Sequence, residues 1–389
     1  MSSATPTLQR TAVLSAVDAT QVAGATGTAG AAPGPTAGAA MRPAPLPTAS
    51  DGRYPKPAEP GFTITIEANS AEAPFEHVTS LAWDPDGAMY VARMEGSIVR
   101  VAPDGTRTTF LDGFSVPLGL AFRPGTAQLF VSERGGVTIG QDTNGDGVAE
   151  SHQPFLTGMP CCYADLHQTN GIEFGSDGWL YIAQGSTSDH GEAPPEPWHA
   201  GILRVHPDRG SESLEYVATG LRNPYDLAIT PAGQIFATDN GADYGPPEEL
   251  NHILPGADYG WPYCVTASPG RVSVHPIWND PARCEGTRSA IATFVAHASA
   301  NGVTDYGGQS FPSGYRGNLF VALWSHIPGA YRIVRVQLMP QGDTYRAAVS
   351  DFATDFELPL AVAVGPDGAL YVGDWGPGRI YRIAWTGEQ

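Results

Sequence analysis

The stretch "SLAWDPDGAMYVA", residues 80–92, decides the fold. It reads as a short apolar strand, a tight Asp-Pro-Asp-Gly turn and a second apolar strand. Asp-Gly between two apolar runs is a strong short-range hairpin signal. The phrase returns as "GLAFRPGTAQLFVS" (119–132), "GIEFGSDGWLYIA" (171–183) and "DLAITPAGQIFAT" (226–238). Two further copies are "GQSFPSGYRGNLFVA" (308–322) and "AVAVGPDGALYVG" (361–373). Each second strand carries an aromatic at the same place: Tyr90, Phe130, Tyr181, Phe236, Phe320 and Tyr371, spaced 40, 51, 55, 84 and 51 residues apart. A polar third strand follows several copies, as in "GSIVRVAPDG", "AGILRVHPD" and "YRIVRVQL". A repeat of this length with three or four strands predicts a propeller blade.

Six copies predict an all-β protein, a six-bladed β-propeller over residues 61–389. The segment "FTITIEA" (62–68) is expected to add the outer strand of the last blade and close the ring, which removes exposed sheet edges. The 84-residue spacing predicts a large insertion after the second strand of blade 4. Residues 1–60 are Ala/Gly/Thr/Pro-rich with few large apolar side chains. Such a segment buries too little surface to offset chain entropy, so a disordered tail or linker is expected.

Composition agrees. The 389 residues include 47 glycines and 35 prolines, and 16% are charged. Acids outnumber bases 40 to 21, for a net charge of −19. That surface repels phosphate backbones and excludes a nucleic-acid partner. No apolar run approaches the ~20 residues of a membrane span. Four cysteines allow three pairings. Cys264 and Cys284 flank one Pro-rich loop and are expected to form a bridge, which implies an oxidising, periplasmic or secreted setting. Cys161 and Cys162 are expected as two small reduced residues.

In a propeller the innermost strands line the axis, so the residues entering them gather at one mouth. The ring so defined contains His77–Thr79, Val116–Pro117, His167 with Asn170, Arg222–Asn223, Asn301–Thr304 and Glu357–Pro359. His167 and Arg222 come from neighbouring blades and are expected to meet over the axis. Imidazole suits proton abstraction near neutral pH, and guanidinium suits an anion or a developing oxyanion. The plainer alternative is a turn-capping histidine and an ordinary ion pair.

The segments "GLRNPYDLAI" (220–229) and "TDNGADYGPPEELNHILPGADYGWPYC" (238–264) resemble the soluble quinoprotein sugar dehydrogenases, the glucose/sorbosone dehydrogenase family. "FPSGYRGNLFVALW" (311–324) and "GPDGALYVGDWGPGRIYRI" (365–383) share the likeness. The resemblance implies a sugar substrate, pyrroloquinoline quinone (PQQ) and Ca2+ as cofactors, and an external electron acceptor. It makes His167 the base, Arg222 the oxyanion partner, Asn223 and Asn170 cofactor contacts, and the Gly241 and Ala242 carbonyls calcium ligands. The chain departs from the family at "FELPLAVAV", where Leu358 and Leu360 stand in place of arginines that hold PQQ carboxylates. Ser186 stands where glucose-type members have an acid, so Asp189 or Asp165 is left to orient His167.

A second metal signal is "DTNGDGVAE" (142–150). Asp142, Asn144, Asp146 and Glu150 follow the first nine positions of an EF-hand loop, but the twelfth is Gln153. The alternative is an acidic turn. Two other functions fit a propeller of this kind: a non-catalytic binding module, and a calcium-dependent lactonase-like hydrolase.

Overall fold

The computed structural model describes residues 54–67, 73–162, 167–193, 196–243 and 245–387. They form six antiparallel sheets around one axis, with a small extra hairpin. Blades 1 to 6 span 78–111, 119–157, 169–219, 224–294, 300–354 and 359–385. The ring closes as expected: Phe62–Ile66 is the outer strand of blade 6 and pairs antiparallel with Arg379–Trp385. The segment ahead of it is also part of the sheet system. Lys56–Pro57 pairs with Thr344–Thr354 as a fifth strand on blade 5, and Glu59 accepts from Arg335 at 3.1 Å. The propeller therefore begins several residues before position 61, and residues 1–53 of the predicted tail lie outside the described residues.

The repeat phrase has a packing reason. In three blades the aromatic on the second strand meets the ring that ends the inner strand of the next blade. Tyr90 lies edge-on to Phe122 (4.9 Å between centroids), Phe130 to Phe174 (5.1 Å), and Tyr371 tilts against Trp83 (5.0 Å) across the ring closure. Such pairs add about 0.5–1.5 kcal/mol each beyond their buried area. Side chains also stitch neighbouring blades by hydrogen bonds. Thr79 Oγ1 donates to Pro117 O (2.6 Å), Thr238 Oγ1 donates to Asn301 O (2.7 Å), and Asp226 accepts from Val303 N (3.1 Å).

Two expectations about strands shift. The large insertion of blade 4 follows its third strand, Glu248–Ile253, because the loop after the second strand, 240–247, is short. The insertion holds the hairpin Cys264–Ser268 with Arg271–Val274 and a 3₁₀ turn at Pro281–Cys284. Cys264 and Cys284 are bonded and close it. In blade 5, Asn301–Thr304 belong to the inner strand Ala300–Asp305 itself, and "GQSFPSGYRGN" is the loop after it. Cys161 and Cys162 are half-buried and bonded to each other, not two reduced core residues.

Candidate active site

Strand alternation places two sets of loops at one mouth: those entering each inner strand and those between second and third strands. His167, Arg222 and Asn223 come from the first set. Asn240, Trp324, Trp375 and the long loop 185–200 come from the second, which sequence reasoning did not use.

The local backbone of blade 4 fixes Arg222 and Asn223. Pro224 starts the inner strand, and Asp239 at the end of the next strand accepts both Asn223 N (2.7 Å) and Arg222 N (2.9 Å). The Arg222 guanidinium is buried. Its Nε donates to Asp189 O (3.1 Å), Nη1 to Asn240 O (3.0 Å) and Nη2 to Asp189 Oδ1. The other Asp189 oxygen meets His190 Nε2 at 2.8 Å. Asp189 therefore holds Arg222 and not His167, and Asp165 lies outside the described residues.

Ser186 holds His167. Its Oγ uses its one hydrogen on Ser188 O (2.7 Å), so the 3.0 Å contact with His167 has Nδ1–H as donor. The network thus assigns the lone pair to Nε2. Burial, and then the Arg222 charge, hold this imidazole well below its usual range, so it is neutral at pH 7. Asn170 is fully buried and donates to Asn223 Oδ1 (2.9 Å) and Pro224 O (2.7 Å). The structure thus brings His167, Asn170, Arg222 and Asn223 together as one polar wall over blades 3 and 4.

Gly241 and Ala242 sit beside this wall. They line a cavity of about 20 Å³ with Asp239, Glu249, Pro246 and Pro247, room for one water or one monatomic ion. A Cβ on Gly241 would lie 2.9 Å from Pro247 O and 3.0 Å from Pro246 O, so only glycine fits. Asp239 and Glu249 give the lining two carboxylates, the donor type of a hard cation, while Arg222, whose charge opposes one, lines it as well. The other predicted metal group is far from it in the fold. Asp142, Asp146 and Glu150 oxygens lie within 4.8 Å of one another in a turn of blade 2 on the opposite face. There Asp142 accepts Gly145 N (2.6 Å) and Gly147 N (2.8 Å), Glu150 accepts Thr143 N (2.6 Å), and the Asn144 amide donates to Asp146 (3.1 Å). That is the bonding of an acidic turn.

The far side of the mouth is apolar. Leu118, Tyr225, Leu358, Leu360 and Trp375 form one buried cluster, with Met94, Val116 and Trp324 packed against it. His77 does not join His167; it stacks on Trp375 at 4.0 Å and pairs with Glu95. The space expected between imidazole and guanidinium is thus bounded on its other side by leucines and indoles.

The family described as "Domain of unknown function (DUF7133)" matches residues 102–386. The chain belongs to that family. An uncharacterized protein of Borreliella burgdorferi is 23% identical over 349 residues, 83% of this chain and 89% of that protein. Among solved structures, the holo form of the pyranose dehydrogenase PQQ domain from Coprinopsis cinerea matches at TM-score 0.71, 16% identity, 87% of this chain and 98% of that one. The PQQ-bound aldose sugar dehydrogenase of Streptomyces coelicolor matches at TM-score 0.63 and 20% identity, covering 84% of this chain and 99% of that one. At these identities the likeness shows that this DUF7133 chain shares their fold.

The residues of this DUF7133 chain fit part of the implied cofactor. The polar wall and the cavity at Gly241 suit a ring carbonyl edge and a calcium ion. The apolar wall gives carboxylates no cation: Leu358 and Leu360 are buried among hydrophobic neighbours, and Glu357 adds negative charge.

Proposed function

We propose that this protein is an oxidoreductase that removes a hydroxyl proton and a hydride from one carbon of a sugar or polyol. The observation that carries the reading is the assignment of His167: a buried neutral imidazole whose Nδ1–H is committed to Ser186, with Nε2 as the basic nitrogen. Nε2 takes the hydroxyl proton, a step typically worth about 10²–10⁴ in rate. Arg222, held by Asp189 and Asn240, supports the oxygen as negative charge develops on it. Asn170 and Asn223 hold each other and keep that wall fixed. A quinone in the mouth would supply the two-electron acceptor. PQQ stands in the names of two structural relatives, and Ca2+ is the ion that the sequence resemblance implies beside it, assigned to the Gly241–Ala242 cavity. An external acceptor must then reoxidise the quinol.

The test is dye reduction by purified protein with aldoses and polyols, with quinone and calcium added, beside His167→Gln. Turnover that falls at least 10²-fold in the variant, with an unchanged melting temperature, supports the reading; equal turnover overturns it. One observation favours a second reading, a binding propeller without redox chemistry: Arg222 already carries a carboxylate partner. Sugar binding by calorimetry with no turnover under any acceptor would favour that reading.

A further inference from the structure

The apolar wall contains polar atoms with nothing to bond to. Tyr225 and Trp375 are each 9% exposed. Tyr225 Oη, Trp324 Nε1 and Trp375 Nε1 are buried and have no hydrogen-bond partner among the described residues. Tyr225 and Trp375 belong to the one apolar cluster at the mouth, and Trp324 packs against it. Two more partnerless atoms, Gln168 Oε1 and Asn170 Oδ1, lie on the polar wall. A buried donor left unpaired is costly, and native structures keep few of them. The three donors gathered at one cluster point to a ligand that supplies acceptors toward blades 4, 5 and 6; Gln168 Oε1 and Asn170 Oδ1 need donors, which a substrate hydroxyl and not a quinone supplies.

The donors are neutral. Indole N–H and phenol O–H bond well to a carbonyl or hydroxyl oxygen but do not neutralise a carboxylate. Leucines fill the rest of that wall, and the adjacent Glu357 carboxylate opposes a second anion. Deepening the oxidoreductase reading, on which it rests, we propose that the mouth binds an uncharged para-quinone ring, with Tyr225, Trp324 and Trp375 donating to its oxygens, in preference to the tricarboxylate PQQ.

The experiment titrates the full chain with 1,4-naphthoquinone and with PQQ, each with and without calcium, following tryptophan fluorescence and calorimetric heat. The expected order is naphthoquinone at least tenfold tighter. Tyr225→Phe removes an unpaired hydroxyl, so the free protein should melt higher by about 1–3 °C, while naphthoquinone affinity falls about tenfold. A merely structural tyrosine would not move those two readouts in opposite directions. Trp375→Phe should weaken the ring by a similar factor. Glu357→Gln with Leu358→Arg should gain at least tenfold for PQQ and lose naphthoquinone. Tighter PQQ binding by the native chain, or unchanged naphthoquinone affinity in both Tyr225→Phe and Trp375→Phe, overturns the inference. If PQQ binds tighter and sugars turn over with it, the oxidoreductase reading stands and only this inference falls. If no quinone binds and no sugar turns over, both fall.

Discussion

In blade 4 the inner strand is entered through Arg222-Asn223-Pro224, and in blade 6 through Glu357-Leu358-Pro359. Both prolines begin the strand, and both are followed by an acid at the end of the second strand that turns back on the entry. Asp239 accepts Arg222 N and Asn223 N; Asp374 accepts Glu357 N (2.9 Å) and Leu358 N (2.6 Å). The two mouths share one backbone and one brace. They differ in the two side chains carried on it. Blade 4 presents a guanidinium and an amide, and blade 6 a carboxylate and an isobutyl group. The scaffold therefore fixes position and leaves chemistry to two residues per blade, as loops on rigid frames commonly do. The same split runs down the axis. Blades 3, 4 and 5 put Glu173, Asp226 and Asp305 on their inner strands, and the inner strands of blades 6, 1 and 2 carry no acid.

The largest effect should come from cutting the two braces in parallel. Asp239→Ala and Asp374→Ala each strand two buried N–H groups, at about 1–3 kcal/mol apiece. Chemical denaturation should show the two variants losing similar stability, about 2–6 kcal/mol. Turnover of the folded fraction should separate them. Asp239→Ala releases Arg222 and Asn223 and should lose at least 10²-fold, and Asp374→Ala much less. Equal turnover losses would break the division of the mouth into a reacting half and a packing half.

The next effect is pH-dependent and is shared by both halves, since burial raises Asp374 of blade 6 to about 7 as well. Asp226 is buried, and its carboxyl is raised to about 7 by desolvation. Glu173 lies well above its usual range through burial and then Asp226, and Asp305 is raised to about 6 by burial. In the unfolded chain these acids lose their protons near pH 4. Between pH 4 and about 7 the folded state thus binds more protons than the unfolded state, and stability falls as pH rises through that window. His167 opposes this only at the acid end, since its lowered pKa makes the unfolded state the better proton binder below about pH 6.5. Melting should therefore be several degrees lower at pH 8 than near pH 5.5, and Asp226→Asn should flatten the slope. A melting temperature that climbs steadily from pH 5 to 8 would show that other groups dominate.

The fold was legible because its repeat is written in packing terms. One hairpin phrase with an aromatic at a fixed place recurs six times, and in three blades that aromatic packs on the ring ending the next inner strand, one of these pairs across the closure. His167, Asn170, Arg222 and Asn223 were legible from position alone, since each stands at an inner-strand entrance. What packs across the opening was not. Trp324 and Trp375 lie on loops between second and third strands, and nothing in their spacing shows that they face Tyr225 over the axis. Ser186 was read as the loss of an acid. Its role depends on where its hydroxyl hydrogen goes, which is a property of the Ser188 carbonyl's position and not of the residue type. The insertion falls one strand later than the spacing predicts, because a spacing counted between second strands does not show which strand the extra residues follow.

The smallest effect tests that hydroxyl and sharpens the comparison most. Ser186→Ala removes the Oγ contact of the His167 Nδ1–H and weakens the hold on that tautomer. The imidazole is then free to exchange tautomers, and the form with the proton on Nε2 cannot act as a base. Losing one neutral hydrogen bond at this site is worth about 1–1.5 kcal/mol, or about tenfold in kcat. KM should hold, since Ser186 bonds to His167 and not to the axial opening. Ser186→Thr keeps the hydroxyl and should restore most of the rate, and Ser186→Asp should raise the His167 pKa and move the acid limb of the pH–rate profile upward. No equivalent exists across the mouth: Gly376 of blade 6 has no side chain to orient its neighbour. If Ser186→Ala changed KM alone, or if Ser186→Asp left the profile in place, His167 would be a packed residue of the polar wall, and the two halves would differ in polarity without differing in chemistry.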